Sequence, residues 1–170
     1  MLAVNYSSLR NNLKEYLDRV TDDCDTLLIT RKADHNVVAM SEDSHENIKE
    51  VLYLLESFGN HQWLVQAMQQ FADGSVQAVT VEGTEMQALF SENAWQDYSC
   101  WQAQDTKSAR KVETLLRDIA ADGTAGRPRP LQGDLRGCWS RRITERDRLI
   151  YRVTADSIQV LACRYHDEQA

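Results

Sequence analysis

This 170-residue sequence predicts an α+β fold in two domains, and three observations carry that expectation. First, stripes of apolar residues at helical spacing are separated by short stretches that alternate apolar and polar side chains. Second, the segment GTAGRPRPLQGDLRG (123–137) holds four of the chain's glycines and both of its prolines, so it reads as a long loop ahead of three final strands. Third, the charge is divided unevenly. Residues 1–85 carry 6 Lys/Arg against 14 Asp/Glu, a net −8, whereas residues 86–170 carry 13 against 12, a net +1. An acidic front and an arginine-rich back are different objects.

In order along the chain, LAVNY reads as a strand, and Ser7 or Ser8 as the N-cap of a helix carrying Leu9, Leu13, Tyr16, Leu17 and Val20. That helix ends near the acidic turn TDDCD. The strands TLLITR and NVVAM follow, joined by the turn KADH. Ser41 caps a second helix with the stripe Ile48, Val51, Leu52 and Leu55. After Gly59 and Asn60, a third helix presents Trp63, Leu64, Ala67, Met68 and Phe71 and stops at Gly74. SVQAVTVEGTE is extended in character, has few large apolar anchors, and is the expected linker.

A new pattern starts at Met86: MQALF as a strand, Ser91 capping a helix with Ala94, Trp95, Tyr98 and Trp101, then Asp105 capping another. The inner face of the latter is Ala109, Val112, Leu115, Leu116 and Ile119. Strands are expected at about 138–144, 147–154 and 157–165. The domains are therefore placed at 1–58 and 86–170, with 59–85 between them.

The segment CWSRRITERDRLIYRV poses the functional question, because Arg141, Arg142, Arg146, Arg148 and Arg152 are threaded through a hairpin pattern. Alternation puts Leu149, Tyr151 and Val153 on one face and Arg148 and Arg152 on the other, which predicts one wet side. Crowded like charges contribute no stability, so an anionic ligand or an acidic partner is expected there. Guanidinium suits bidentate phosphate contact. No apolar run approaches the roughly 18 residues of a membrane span, and the N-terminus lacks a signal-peptide pattern, so a cytoplasmic location is expected and no membrane partner. Cys24, Cys100, Cys138 and Cys163 form no metal-ligand spacing and are expected to be reduced, half-buried packing residues. Neither a metal nor a cofactor is expected.

Residues 86–166 resemble the YoeB-type toxins of the RelE/ParE superfamily, ribosome-dependent mRNA endonucleases, through SENAWQDYSCWQ, GCWSRRITERDRLIYRV and ACRYH. Residues 1–72 are similar to the YefM/Phd antitoxins through YSSLRNNL, LLITRK and VLYLLES. The resemblance implies an N-terminal Phd/YefM-like domain that dimerises and binds operator DNA, a toxin-neutralising segment, and a RelE-like domain of two helices on an antiparallel sheet. It implies catalytic roles for Arg148 in stabilising charge on the phosphorane, His166 as general acid and Arg142 in positioning phosphate. It implies DNA contacts from Arg10, Arg31 and Lys32, and toxin-neutralising anchors at Trp63, Leu64, Met68 and Phe71.

The family's glutamate base lies between two prolines, and here PRP carries Arg129, which cannot accept a proton. Arg129 is left to stabilise charge, with Asp134 and Asp147 as the nearby acids. The implied partners are operator DNA, mRNA on the ribosome, an antitoxin–toxin contact within or between chains, and a second copy in a homodimer. The rival reading is a repressor whose toxin-like half is a corepressor without catalysis.

Overall fold

Asn5, rather than a serine, starts the first helix: its side chain accepts from the Ser8 amide at 2.8 Å, ending strand β1 (Leu2–Asn5) and opening α1 (Tyr6–Asn11). The single helix expected from the sequence is broken at Asn12, whose backbone leaves helical geometry (φ −128°) while its amide reaches back to the Ser8 carbonyl. Helix α2 (Leu13–Asp22) resumes after it, with Leu9, Val20 and Tyr16 turned inward and Leu13 and Leu17 left exposed. Strand β2 (Leu27–Thr30) runs parallel to β1, and β3 (Val37–Ala39) antiparallel to β2. The core beneath them is small, with Val4, Leu9, Val20 and Leu27 buried.

The computed structural model describes residues 1–23, 26–32 and 35–167. Cys24, parts of the turns TDDCD and KADH, and the last three residues of DEQA therefore lie outside the described residues. Ser41 caps α3 (Glu42–Glu56) as expected, accepting from the Ser44 amide at 3.2 Å. The chain separates into two compact units, Met1–Lys49 and Glu50–Ala170, so the division falls within α3, whereas the sequence reading ends its first domain at 58. Of the expected apolar stripe of α3, Val51 and Leu55 pack against the core, whereas Ile48 and Leu52 are exposed and Leu54 is the buried residue.

In the second unit, Ser57 caps α4 (Phe58–Asp73), and Gly74, in left-handed conformation at φ 76°, ends it. Gly59 and Asn60 are thus the first turn of α4 and not a break before it. The expected linker is a strand, β4 (Val76–Thr80), paired antiparallel with β5 (Gln87–Ser91) through a turn closed by Val81 N to Met86 O at 3.2 Å. Helices α5 (Glu92–Gln104) and α6 (Thr106–Ala120) are capped by Ser91 and Asp105, as expected. The loop expected to be irregular includes the two-residue edge strand β6 (Arg129–Pro130) and a 3-10 turn at Gly133–Leu135. With β7 (Trp139–Arg142), β8 (Arg148–Val153) and β9 (Ser157–Ala162), the six-stranded sheet has the order β4-β5-β9-β8-β7-β6.

This sheet is covered on both faces. Leu149, Tyr151, Ile158 and Val160 pack with Ala94, Tyr98, Val112, Leu115 and Leu116 of α5 and α6. On the opposite face Ile150, Leu161 and Cys138 pack with Leu54, Leu64 and Ala67 of α3 and α4. The wet face expected from β8 is therefore a second core, and Val153, expected inside, is exposed. Cys138 and Cys163 are fully rather than half buried, and burial pushes both thiols up in pKa. Cys100 is half-buried.

One arginine of the hairpin is structural. Arg141, 4 % exposed, donates to Asp118 at 2.5 Å, to the carbonyls of Ala125 and Gly123 at 2.8 Å each, and to the Tyr151 hydroxyl at 2.9 Å. It ties the loop after α6 to the sheet. Arg141→Ala removes the counter-charge of Asp118 and the donor to two carbonyls, and urea denaturation is expected to register a loss of about 3–5 kcal/mol. A loss below 1 kcal/mol would show that the loop holds without it.

Candidate nucleic-acid site and its occupant

Strand alternation places Arg129, Ser140, Arg142, Arg148 and Ile150 on the sheet face that α4 covers, since Arg129 pairs with Ser140, Ser140 with Ile150, and Arg142 with Arg148. Arg148 is 7 % exposed. Its Nε donates to the Glu50 carboxylate at 2.8 Å, and its Nη1 to the carbonyls of Thr144, Glu145 and Asp147 at 3.2–3.3 Å. The same Glu50 oxygen accepts from the Ser140 hydroxyl at 2.5 Å. A carboxylate from α3 therefore sits where a guanidinium and a hydroxyl converge, the donor set a phosphate oxygen would use.

Aromatic rings extend the contact. The Arg148 guanidinium lies 5.2 Å from the Tyr53 ring centroid, Tyr53 stacks on Tyr165 at 4.6 Å, and the Arg146 guanidinium lies 5.3 Å from the Tyr165 ring. Tyr53 donates its hydroxyl to the Arg146 carbonyl at 2.7 Å. Burial raises the pKa of both tyrosines. Arg146 also pairs with Asp167.

His166 is clasped by the start of α4. Its amide donates to Asn60 Oδ1 at 3.1 Å, its carbonyl accepts from the Ser57 hydroxyl at 2.8 Å, and its ring stacks on Trp63 at 4.1 Å. The ring Nε2 lies 2.7 Å from Asp97 Oδ1. Burial pushes the Asp97 carboxyl up in pKa, and its hydrogen bonds to His166 and the Cys163 amide pull it back. Farther along α4, the Gln70 side-chain amide exchanges hydrogen bonds with Asn93 at 2.8 and 3.0 Å, and Asn93 donates to the Trp63 carbonyl at 2.9 Å.

Of the residues predicted from sequence, Arg148 and His166 are both engaged by residues 50–63. Arg129 is half-buried beside Ser140 in β6. Arg142 is 54 % exposed at its side chain and lies 3.6 Å from Glu145, outside the Glu50 contact. Asp147 is committed to the hairpin turn, accepting from Thr144 Oγ1 at 2.6 Å and from the Tyr165 amide at 3.1 Å. Asp134 is exposed, 3.8 Å from His61. Leu64 is fully buried against the sheet, with Trp63, Met68 and Phe71 packed around it. In the first unit Asn5 pairs with Thr30, so α1 and the residues after β2 leave the same end of the parallel strands, and Arg10, Arg31 and Lys32 are exposed.

Sequence reasoning missed Glu50, Tyr53, Asn60, Asp97 and Ser140. Asp97 was findable, three residues after Ala94 and four before Trp101 on the inner stripe of α5.

Residues 90–167 match the family of YoeB-like toxins of bacterial type II toxin-antitoxin systems, and residues 1–74 match the Phd_YefM antitoxins of type II toxin-antitoxin systems. The YoeB toxin of Escherichia coli K12 is 45% identical over 83 residues, which are 48% of this chain and 99% of that protein. The YefM antitoxin of the same strain is 30% identical over 74 residues, 44% of this chain and 89% of its own length. The chain belongs to both families, toxin and antitoxin. Among solved structures, a heterotetrameric YoeB-YefM complex from Staphylococcus aureus is similar over 49% of this chain and 99% of that chain, at 35% identity and a TM-score of 0.47. The chain is thus a fusion of a YefM-like region and a YoeB-like region in one polypeptide, and residues of the former cover Arg148 and His166 of the latter.

If α4 is part of the toxin region's core, Leu64→Ala should weaken the whole second unit. A loss of about 2–5 kcal/mol in one urea transition is expected. A value under 1 kcal/mol would mean that α4 only rests on the surface.

Proposed function

We propose that the chain is a self-neutralised mRNA endonuclease whose YefM-like part also binds operator DNA as a homodimer. One observation carries the neutralisation: Glu50 holds the Arg148 guanidinium and the Ser140 hydroxyl, so an RNA phosphate and the chain's own carboxylate compete for the same donors. When α3 and α4 withdraw, the 2′-oxygen of a ribosome-bound mRNA attacks phosphorus and the P–O5′ bond breaks. The products are a 2′,3′-cyclic phosphate and a 5′-hydroxyl. Arg148 and Arg129 stabilise the charge that grows on the phosphorane. His166 gives its ring proton to the departing 5′-oxygen, and the 2′-hydroxyl proton passes to water, since an arginine stands where the family has its base.

The test uses the full chain on programmed ribosomes. Glu50→Ala with Trp63→Ala removes the anion and the ring that hold the site. With a charged hydrogen bond worth about 1.5–3 kcal/mol, cleavage should rise roughly tenfold to a hundredfold. Adding His166→Ala or Arg148→Ala should abolish that rise. A folded double variant that leaves mRNA intact would favour the second reading, a repressor with a non-catalytic toxin-like half, which Arg129 supports.

DNA binding rests on the exposed Arg31 and Lys32, which follow β2, and Arg10 of α1, a helix that leaves β1 at the same end of the small sheet. Dimerisation is supported by the exposed Tyr6, Leu13, Leu17, Val37 and Val38 on a unit whose core is small. Arg10→Ala and Arg31→Ala should each lower operator affinity in a mobility-shift titration and reduce the slope of log K against log salt by about 0.9 for each phosphate the arginine neutralises. Unchanged binding by both variants would remove these residues from the interface.

A further inference from the structure

We propose that Asp97 is a positioning residue for His166, fixing its imidazole as the Nε2–H tautomer and leaving Nδ1 to exchange a proton with RNA. The catalytic part of this proposal rests on the endonuclease reading above. The Asp97 side chain is 1 % exposed. Its Oδ2 accepts from the Cys163 amide at 3.0 Å and so fixes the end of β9, a duty that a neutral asparagine oxygen would perform equally. Its Oδ1, 2.7 Å from Nε2, is what requires a carboxylate: burying that charge is unfavourable unless a strong donor compensates, and an imidazole N–H is the donor present.

A ring held at Nε2 by an acceptor carries its other proton on Nδ1 only when it is cationic. Delivering that proton to the 5′-oxygen breaks Nδ1–H, forms O–H, and leaves the neutral Nε2–H form that Asp97 already binds. The charged and titratable groups around the ring are Arg146 and Asp147 from the β7–β8 hairpin, and Arg164, Tyr165 and Asp167 on its own segment. With Trp101 they line an open cleft of about 330 Å³ beside it. From the start of α4, the uncharged Ser57 and Asn60 hold the His166 backbone and Trp63 stacks on its ring.

Imidazole ¹⁵N NMR of the intact chain decides the assignment without any need for activity. In the unaltered protein at alkaline pH, the His166 proton should reside on Nε2. In Asp97→Asn the new amide can keep the Cys163 contact through its oxygen and donate to Nε2 through its nitrogen, so the proton should move to Nδ1. A neutral ring already protonated at Nδ1 in the unaltered chain overturns the proposal even if the variant does not fold. An unmoved tautomer in a folded Asp97→Asn protein overturns it equally. In the Glu50→Ala/Trp63→Ala background, Asp97→Asn should lower cleavage by about 10²-fold or more. Undiminished cleavage there would overturn the positioning role. Inactivity of the background itself would overturn the endonuclease reading and the catalytic role together, with the tautomer decided by the spectra.

Discussion

Arg148 is a buried cation, and much of the second unit is arranged around that fact. A guanidinium taken out of water is tolerated only with its donors satisfied and its charge matched. The Thr144, Glu145 and Asp147 carbonyls supply part of this, the Tyr53 ring covers its face, and Glu50 supplies the opposite charge. The carboxylate that stabilises the arginine is also the one that denies it to any other anion. On the proposed function, stability of the covered state and inhibition of the site are one interaction.

That double role accounts for the second core. A charge pair alone would exchange with a phosphate at little loss, because each anion offers the same kind of acceptor. The apolar contacts set the bias. Leu54, Leu64 and Ala67 remove Ile150, Leu161 and Cys138 from water, and withdrawing α3 and α4 exposes that surface at roughly 25 cal/mol per Å². The toxin region's sheet carries apolar residues on both faces, so the antitoxin helix completes a fold as well as occupying a site.

How much of this was legible in the sequence varies from one element to the next. Caps at Ser41, Ser91 and Asp105, the inner face of α6 and the stop at Gly74 are local chemistry and could be read directly. The break at Asn12 was missed because an asparagine within an otherwise good apolar stripe competes for backbone partners without disturbing the periodicity. Arg148 and His166 came from motif resemblance. Glu50 did not, because the expected apolar stripe of α3 shares only Val51 and Leu55 with the packed face, which also takes in Glu50, Tyr53 and Leu54. Nor did alternation in β8 reveal that its arginine face was covered, since period two separates the faces of a strand without saying what lies against either.

On the proposed reading as a self-neutralised toxin, the junction between the two regions changes how neutralisation can end. Read as a loose linker, residues 75–85 would be an obvious place for proteolytic separation. In the structure they hold β4 and its turn, and β4 is the edge strand of the six-stranded sheet, with Val79 and Val81 packed on the core formed by α5 and α6. Cleavage there requires the strand to peel away first, so the local stability of the hairpin governs access. Severing the chain would still leave α4 seated by Leu64, by the Gln70–Asn93 amide pair and by its grip on His166. An intramolecular segment also competes at an effective concentration on the order of millimolar, undiminished by dilution. On the proposed function, loss of inhibition is a local opening of α3 and α4 from the sheet, a conformational equilibrium rather than the disappearance of a partner.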